Sequence, residues 1–165
     1  MTMLEIVIFI IFSLVTLTAG LVAVTGQNLF HSALFLILSF IGVAGLYILL
    51  EAPFLAAVQI LAYVGAIAVL IVFAIMLTRH LMDKDQVQHN AQWGVSALVA
   101  SLLFGGLAFI LLRADWPVVE AAVPEETITI LGQDLMGTYL IPFEVASVLL
   151  LVSLIGSIVI AREER

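Results

Sequence analysis

Apolar residues run along this chain in five long blocks separated by polar breaks. The blocks cover residues 3–24, 29–50, 54–77, 91–112 and 139–161. A helix needs about 20 apolar residues to cross the hydrocarbon core of a bilayer, and each block meets that length. The expected fold is all-α: a polytopic membrane protein of five transmembrane helices, with residues 1–165 forming a single transmembrane domain. The breaks at 25–28 and 51–53 are so short that the first three helices are expected to be antiparallel neighbours. The later breaks are longer, a polar loop over 78–90 and an acidic one over 113–138. The first block has no Lys or Arg ahead of it, only Glu5 within it, and it outlasts the apolar core of a secretory signal; it reads as a retained span.

Composition sharpens this picture by exclusion. Of the 165 residues, 64% are hydrophobic and 10% charged, with a mean hydropathy of +1.30. A soluble domain carries about 25% charged residues, so a water-soluble fold is excluded and the bilayer is the solvent. There is no Cys, which rules out thiolate metal sites, iron–sulfur ligation, disulfides and a catalytic thiol. A net charge of -7 with 5 Lys and Arg residues argues against nucleic acid as a partner. The few basic residues also orient the chain. Arg79, Lys84, Arg162 and Arg165 fall on one side of five spans and Arg113 on the other. The positive-inside bias then predicts an N-terminus outside and a C-terminus inside. Trp93 and Trp116 bracket the fourth helix roughly 35 Å apart, a separation that suits two aromatic belts.

Ionisable residues are costly inside a membrane, so the few present are functional candidates. Glu51 sits in the turn between the second and third helices, where interfacial solvation accounts for it better than a functional role does. Glu144 follows Pro142 at the start of the fifth helix. A carboxylate near a proline-led N-terminus is favoured by the helix dipole, and that reading stands level with a proton-carrying one. Gln59 and Tyr63 are four apart on the third helix and so are expected to share a face. Tyr63 lies roughly 14 Å into the span, where a buried phenol and amide need hydrogen-bond partners. Interhelical packing alone could use such a pair. Beside them, Ala62, Gly65, Ala66 and Ala68 leave little side-chain bulk, and a glycine is where an inserted residue, a π-bulge, costs least. Gly42 and Gly45 on the second helix, and Ser153, Ser157 and Ala161 on the fifth, read as close-packing rows. His31 reads as interfacial. His80, Asp83, Asp85 and His89 read as a solvated loop whose spacing matches no dedicated metal site. No pair of histidines faces another across the bilayer for haem, and no redox ligand set or phosphate loop is present. A chain so poor in chemistry fits best as one subunit of a larger membrane assembly.

At the third helix the sequence takes on a family likeness. The stretch Ala56-Ala-Val-Gln-Ile-Leu-Ala-Tyr-Val-Gly-Ala-Ile-Ala, continuing to Met76, resembles the signature helix of subunit J of bacterial respiratory complex I, called subunit 6 in mitochondria. Asn28-Leu-Phe-His-Ser-Ala-Leu34 is similar to the opening of that family's second helix, and Gly45-Leu-Tyr-Ile-Leu-Leu-Glu-Ala-Pro-Phe54 to its turn into the third. Leu131-Gly-Gln-Asp-Leu135, Pro142-Phe-Glu-Val-Ala-Ser-Val-Leu-Leu-Leu151 and the closing Ala161-Arg-Glu-Glu-Arg165 resemble its last loop, helix and tail. The resemblance spans nearly the whole chain. It implies a role in proton-pumping NADH:quinone oxidoreductase, in a bacterial inner (plasma) membrane.

The resemblance further implies a third helix with a π-bulge near Tyr63 and Gly65, whose conversion to a regular helix accompanies conformational change and could make or break a water path. Gln59, Tyr63, Gly65, Glu51 and Glu144 are the residues expected on that coupling and water path. The implied neighbours are subunits H, A and K and the antiporter-like subunits. NADH, FMN, iron–sulfur clusters and quinone are expected in the parent complex, with no cofactor, catalytic or metal site in this chain. Some family members carry Glu at the position of Gln59, and an amide cannot exchange protons near neutral pH. A carboxylate relay is therefore not expected at this point, and the amide fits a hydrogen-bonding or water-positioning role. Related modules in Mrp-type cation/proton antiporters and in ferredoxin-linked photosynthetic complexes are the alternatives. A scaffold whose third helix only packs is the plainest one.

Overall fold

A computed structural model describes residues 3–78, 92–115 and 126–162. Six helices carry these residues, and there is no strand among them. They are α1 (Met3–Thr25), α2 (Leu29–Leu49), α3 (Pro53–Leu77), α4 (Trp93–Arg113), α5 (Thr127–Met136) and α6 (Leu140–Ala161). All but α5 are long and apolar enough to span a membrane. Their bounds match the five expected blocks to within two residues. The sixth helix, α5, is new. It lies in what reads from sequence as an acidic loop, and at 10 residues it is too short to span. The chain divides into two compact units, Met1–Val119 and Glu120–Arg165. The loop with His80, Asp83, Asp85 and His89, the charges Arg79, Lys84 and Arg165, and Trp116 lie outside the described residues.

In the first unit, α2 packs against both α1 and α3. Apart from Gln59, the residues that bury themselves there are small: Ala19 of α1, Ala33, Gly42, Ala44 and Gly45 of α2, and Ala56 and Ala68 of α3. Lipid tails are as apolar as leucine, so helices in a bilayer gain by close approach rather than by hiding large side chains. Gly42 shows how close. A Cβ there would strike the Thr16 hydroxyl and lie 3.3 Å from the Thr16 Cα, so the backbones of α1 and α2 almost touch. Gly45 leaves room for the Phe12 ring, which a Cβ would overlap. One turn before Gly42, the Ser39 hydroxyl donates to the Thr16 carbonyl at 3.1 Å, tying the two helices together. The Thr16 hydroxyl itself donates to the carbonyl of Phe12, one turn back. The glycine notches read from sequence are packing notches in the structure.

Both short connections are built from local hydrogen bonds. The Asn28 side chain accepts from the backbone N–H groups of Phe30 (3.0 Å) and His31 (3.2 Å), capping α2. The turn from α2 to α3 is a Schellman motif. The Ala52 N–H donates to the Tyr47 carbonyl at 3.0 Å and the Glu51 N–H to the Ile48 carbonyl at 3.1 Å. Pro53 then opens α3 at its first position, where its missing N–H costs nothing.

Close approach at Gly42 yields a test. Gly42→Val is expected to destabilise the α1–α2 pair by about 1–3 kcal/mol, an overpacking cost. Ser39→Ala is expected to cost about 0.6 kcal/mol, the mean value of an interhelical hydrogen bond in a membrane. Thermal inactivation of the detergent-solubilised complex carrying each variant checks the order.

Candidate functional site

α3 is not one regular helix. Pro53–Val58 and Val69–Leu77 are α-helical, and Gln59–Ala68 between them is a π-helix, hydrogen-bonded i→i+5 instead of i→i+4. Burial shows what this does. Ala56 and Ala68 are both buried, at 5% and 1% exposed, yet they stand twelve positions apart. At about 100° per residue, a regular helix would turn the second about 120° from the first. With one residue absorbed by the π turn, the angle falls to about 20°. The π segment thus brings both halves of α3 onto the same wall of α2, with Ile67, the residue before Ala68 that a regular helix would have turned there, left 44% exposed.

Gly65 lies inside this segment. A Cβ on it would sit 3.3 Å from the carbonyl oxygen of Ile60, five residues earlier, which is a contact tighter than side chains usually make. The wide turn and the missing side chain go together. Sequence pointed to Gly65 as the place where an inserted residue costs least, and the π segment runs through it.

Gln59 begins the π segment and is 6% exposed; it is the buried polar side chain among the described residues. No fully enclosed side-chain nitrogen or oxygen among these residues lacks a hydrogen-bond partner. Tyr63 differs from expectation. It is 44% exposed in this chain, where a buried phenol was expected. A ring this large is covered only in part by α2, its neighbour here. The Tyr63 ring meets Phe40 of α2 edge to face, with centroids 5.5 Å apart and planes at 76°. Phe40 carries no polar group and passed unnoticed in the sequence; its position opposite Tyr63 emerges only when two helices are packed. An apolar groove of about 640 Å³ opens between α1, α2 and α3, with Phe12, Gly45, Ala56, Ile60 and Leu61 in its walls.

The two carboxylates stand apart from this centre along the chain. Glu51 is exposed and has φ of 55°, the left-handed conformation, as the Schellman motif demands at that position. Glycine is the usual occupant, and a residue with a Cβ pays roughly 1–2 kcal/mol there. Glu51 is held in spite of its backbone. Glu144, in the second unit, is exposed and is the fifth residue of α6, with Pro142 the third. From sequence Pro142 was the expected first helical residue and Glu144 about the third. The helix begins earlier, at Leu140 after Tyr139, which moves Glu144 about 6 Å into the span, beyond the first turn in which the dipole favours it. The dipole reading of Glu144 therefore weakens. The Glu144 carbonyl accepts a 2.7 Å hydrogen bond from the Ser147 hydroxyl.

No His, Asp or Glu cluster among the described residues is arranged to hold a metal ion. The site is a helix with a π segment that holds an amide, a phenol and a glycine. Residues 19–160 match the family described as NADH-ubiquinone/plastoquinone oxidoreductase chain 6. The chain belongs to that family. It is 39% identical over 158 residues to the NAD(P)H-quinone oxidoreductase chain 6 of Synechocystis, covering 94% of this chain and 80% of that one. Identity with the chloroplastic NAD(P)H-quinone oxidoreductase subunit 6 of Staurastrum punctulatum is 44% over 158 residues, with 90% and 85% covered. With the F(420)H(2) dehydrogenase subunit J of Methanosarcina mazei it is 37% over 165 residues, with 98% and 93% covered. This member of the chain 6 family is a multi-pass membrane subunit, and its partners are other subunits of a multi-subunit oxidoreductase complex.

Three variants of this family member separate backbone from side chain. Gly65→Ala pushes on the Ile60 carbonyl and is expected to shift residues 59–68 toward regular α-helix, seen in a map of the complex as loss of the extra residue in that turn. Glu51→Gly is expected to stabilise the α2–α3 turn by about 1 kcal/mol. Glu51→Asn, which also tolerates the left-handed region, removes the same charge. Equal thermal stability of Glu51→Gly and wild type would show that the conformation carries no cost.

Proposed function

We propose that this chain is the membrane-arm subunit of a proton-translocating NADH:quinone oxidoreductase, and that its third helix couples quinone reduction to proton movement. The observation that supports the reading is the π segment at Gln59–Ala68. A π turn converted to an α turn keeps its backbone hydrogen bonds while changing their register, and it rotates Val69–Leu77 by about 100° relative to Pro53–Val58. Such a change is compatible with a bilayer, in which a broken backbone hydrogen bond would cost several kcal/mol. A rotation at mid-depth moves Tyr63, whose phenol can donate to and accept from water. Gln59 positions a proton carrier or a water without exchanging protons itself, and Gly65 permits both helix forms.

In this reading the five spans form one membrane domain in a bacterial plasma membrane, N-terminus out and C-terminus in. Subunits H, A and K and the antiporter-like subunits are its neighbours. NADH, FMN, iron–sulfur clusters and quinone belong to other parts of the complex; this chain carries the conformational signal. Glu51 and Glu144 mark the carboxylates on either side of the third helix in sequence, and Glu144 lies where a partner helix can meet it. A second reading, in which the electron donor is not NADH, draws support from the relative named F(420)H(2) dehydrogenase subunit J. Co-purification discriminates: NADH-reducible iron–sulfur subunits favour the first reading, a different donor module the second. An Mrp-type antiporter would bring neither.

Tyr63→Phe removes one hydroxyl and leaves the ring. The complex carrying it is expected to assemble and reduce quinone at a rate within about twofold of wild type, while protons moved per electron fall severalfold. Proteoliposomes with a pH-sensitive dye and parallel quinone reduction measure both. Unchanged proton yield would return α3 to the role of a scaffold.

A further inference from the structure

We infer that Phe40 is a positioning residue that latches the third helix in its π form through the ring of Tyr63, an inference that rests on the coupling role proposed for that helix. The geometry carries it. Phe40 lies halfway along α2, the helix that is fixed on its other side to α1 by the Gly42 and Gly45 notches and by the Ser39 to Thr16 hydrogen bond. It is therefore part of a stationary wall. Tyr63 lies within the convertible element, five positions into Gln59–Ala68. The two rings meet edge to face at 5.5 Å and 76°, the geometry in which the positive rim of one ring faces the negative face of the other. This contact belongs to the π register.

When the π turn becomes an α turn, one residue drops out of the helical register, and a side chain inside the segment cannot keep its angle to both ends. Ala56 and Ala68 would then no longer face α2 together, and Tyr63, between them, turns away from one fixed partner. Phe40 cannot follow, because a rotation of α2 would drive a Cβ-less surface out of contact with Thr16 and Phe12. A ring pair present in one register and absent in the other biases the equilibrium by its own interaction strength. For an edge-to-face pair that is about a two- to tenfold shift in population. That is strong enough to set a resting state and weak enough to be overcome by a neighbouring subunit. Phe40 is not a catalytic residue: it carries no polar group and acts through the Tyr63 ring it packs against.

The test uses the assembled complex with Phe40→Leu, Phe40→Met and Phe40→Tyr, imaged as single particles and sorted by whether residues 59–68 are π or α. Phe40→Leu and Phe40→Met are expected to lower the ratio of π to α by about two- to tenfold, and Phe40→Tyr, which keeps the ring, to hold it within twofold of wild type. In a Tyr63→Leu background, Phe40→Leu should change the ratio no further. An unchanged ratio in the Leu and Met variants overturns the latch, as does a shift that persists without Tyr63. Proton yield per electron is read on the same variants. A fallen π population with unchanged proton yield upholds the latch and overturns the coupling role of the third helix; a fallen π population with a fallen yield supports both.

Discussion

A segment that spans a bilayer must satisfy its own backbone N–H and C=O groups, because no water is there to do it. That constraint governs everything irregular in this chain. It permits α3 to deviate only by changing which carbonyl each N–H reaches, so the deviation takes the form of a π-helix and not of a break or a loop. It also fixes how the deviation expresses itself. With hydrogen bonding conserved, what changes is angle, and the angle decides that Ala56 and Ala68 can both reach α2 while Tyr63 meets Phe40. The packing of α2 on α1 serves the same end. Small residues at Gly42, Gly45 and Ala19 make a wall stiff enough for the angle of α3 to be defined against it.

Much of this was legible in the chain before any coordinates. Length and hydropathy marked the five spans, because a span must be long and apolar whatever its neighbours do. Gly42 and Gly45 declared themselves as notches, and Asn28 and Pro53 stand where caps and first turns want them. Other features were hidden for physical reasons. The third helix is apolar all round, so its hydrophobic pattern has no period from which a one-residue slip could be read. Tyr63 was expected to be buried beside Gln59, but spacing along one helix does not say how much of a large ring its neighbours cover. Thr127–Met136 looked like loop because a short helix among acidic residues carries no span signal. Phe40 is one of 10 phenylalanines, and only tertiary packing distinguishes it.

The exposed surfaces tell the same story from outside. In α4 and α6 no residue is buried, and Leu, Ile, Val and Phe side chains lie open along both. In a bilayer this costs nothing by itself, since lipid is an apolar solvent. Glu144 on α6 is the exception, a carboxylate within a span that gains from a polar neighbour. The family's members are subunits of larger complexes.

The register of α3 has a consequence at the level of genes. In an ordinary span, deleting one codon turns everything downstream by about 100° and ruins the packing face. Within residues 59–68 the same deletion would remove the surplus residue and leave Pro53–Val58 and Val69–Leu77 facing the same way in an unbroken α-helix. The chain there has one residue more than its facing requires. Such a deletion would preserve the architecture while removing the π turn, and a lineage that lost it would retain a fold that looks intact but whose third span is an ordinary helix throughout.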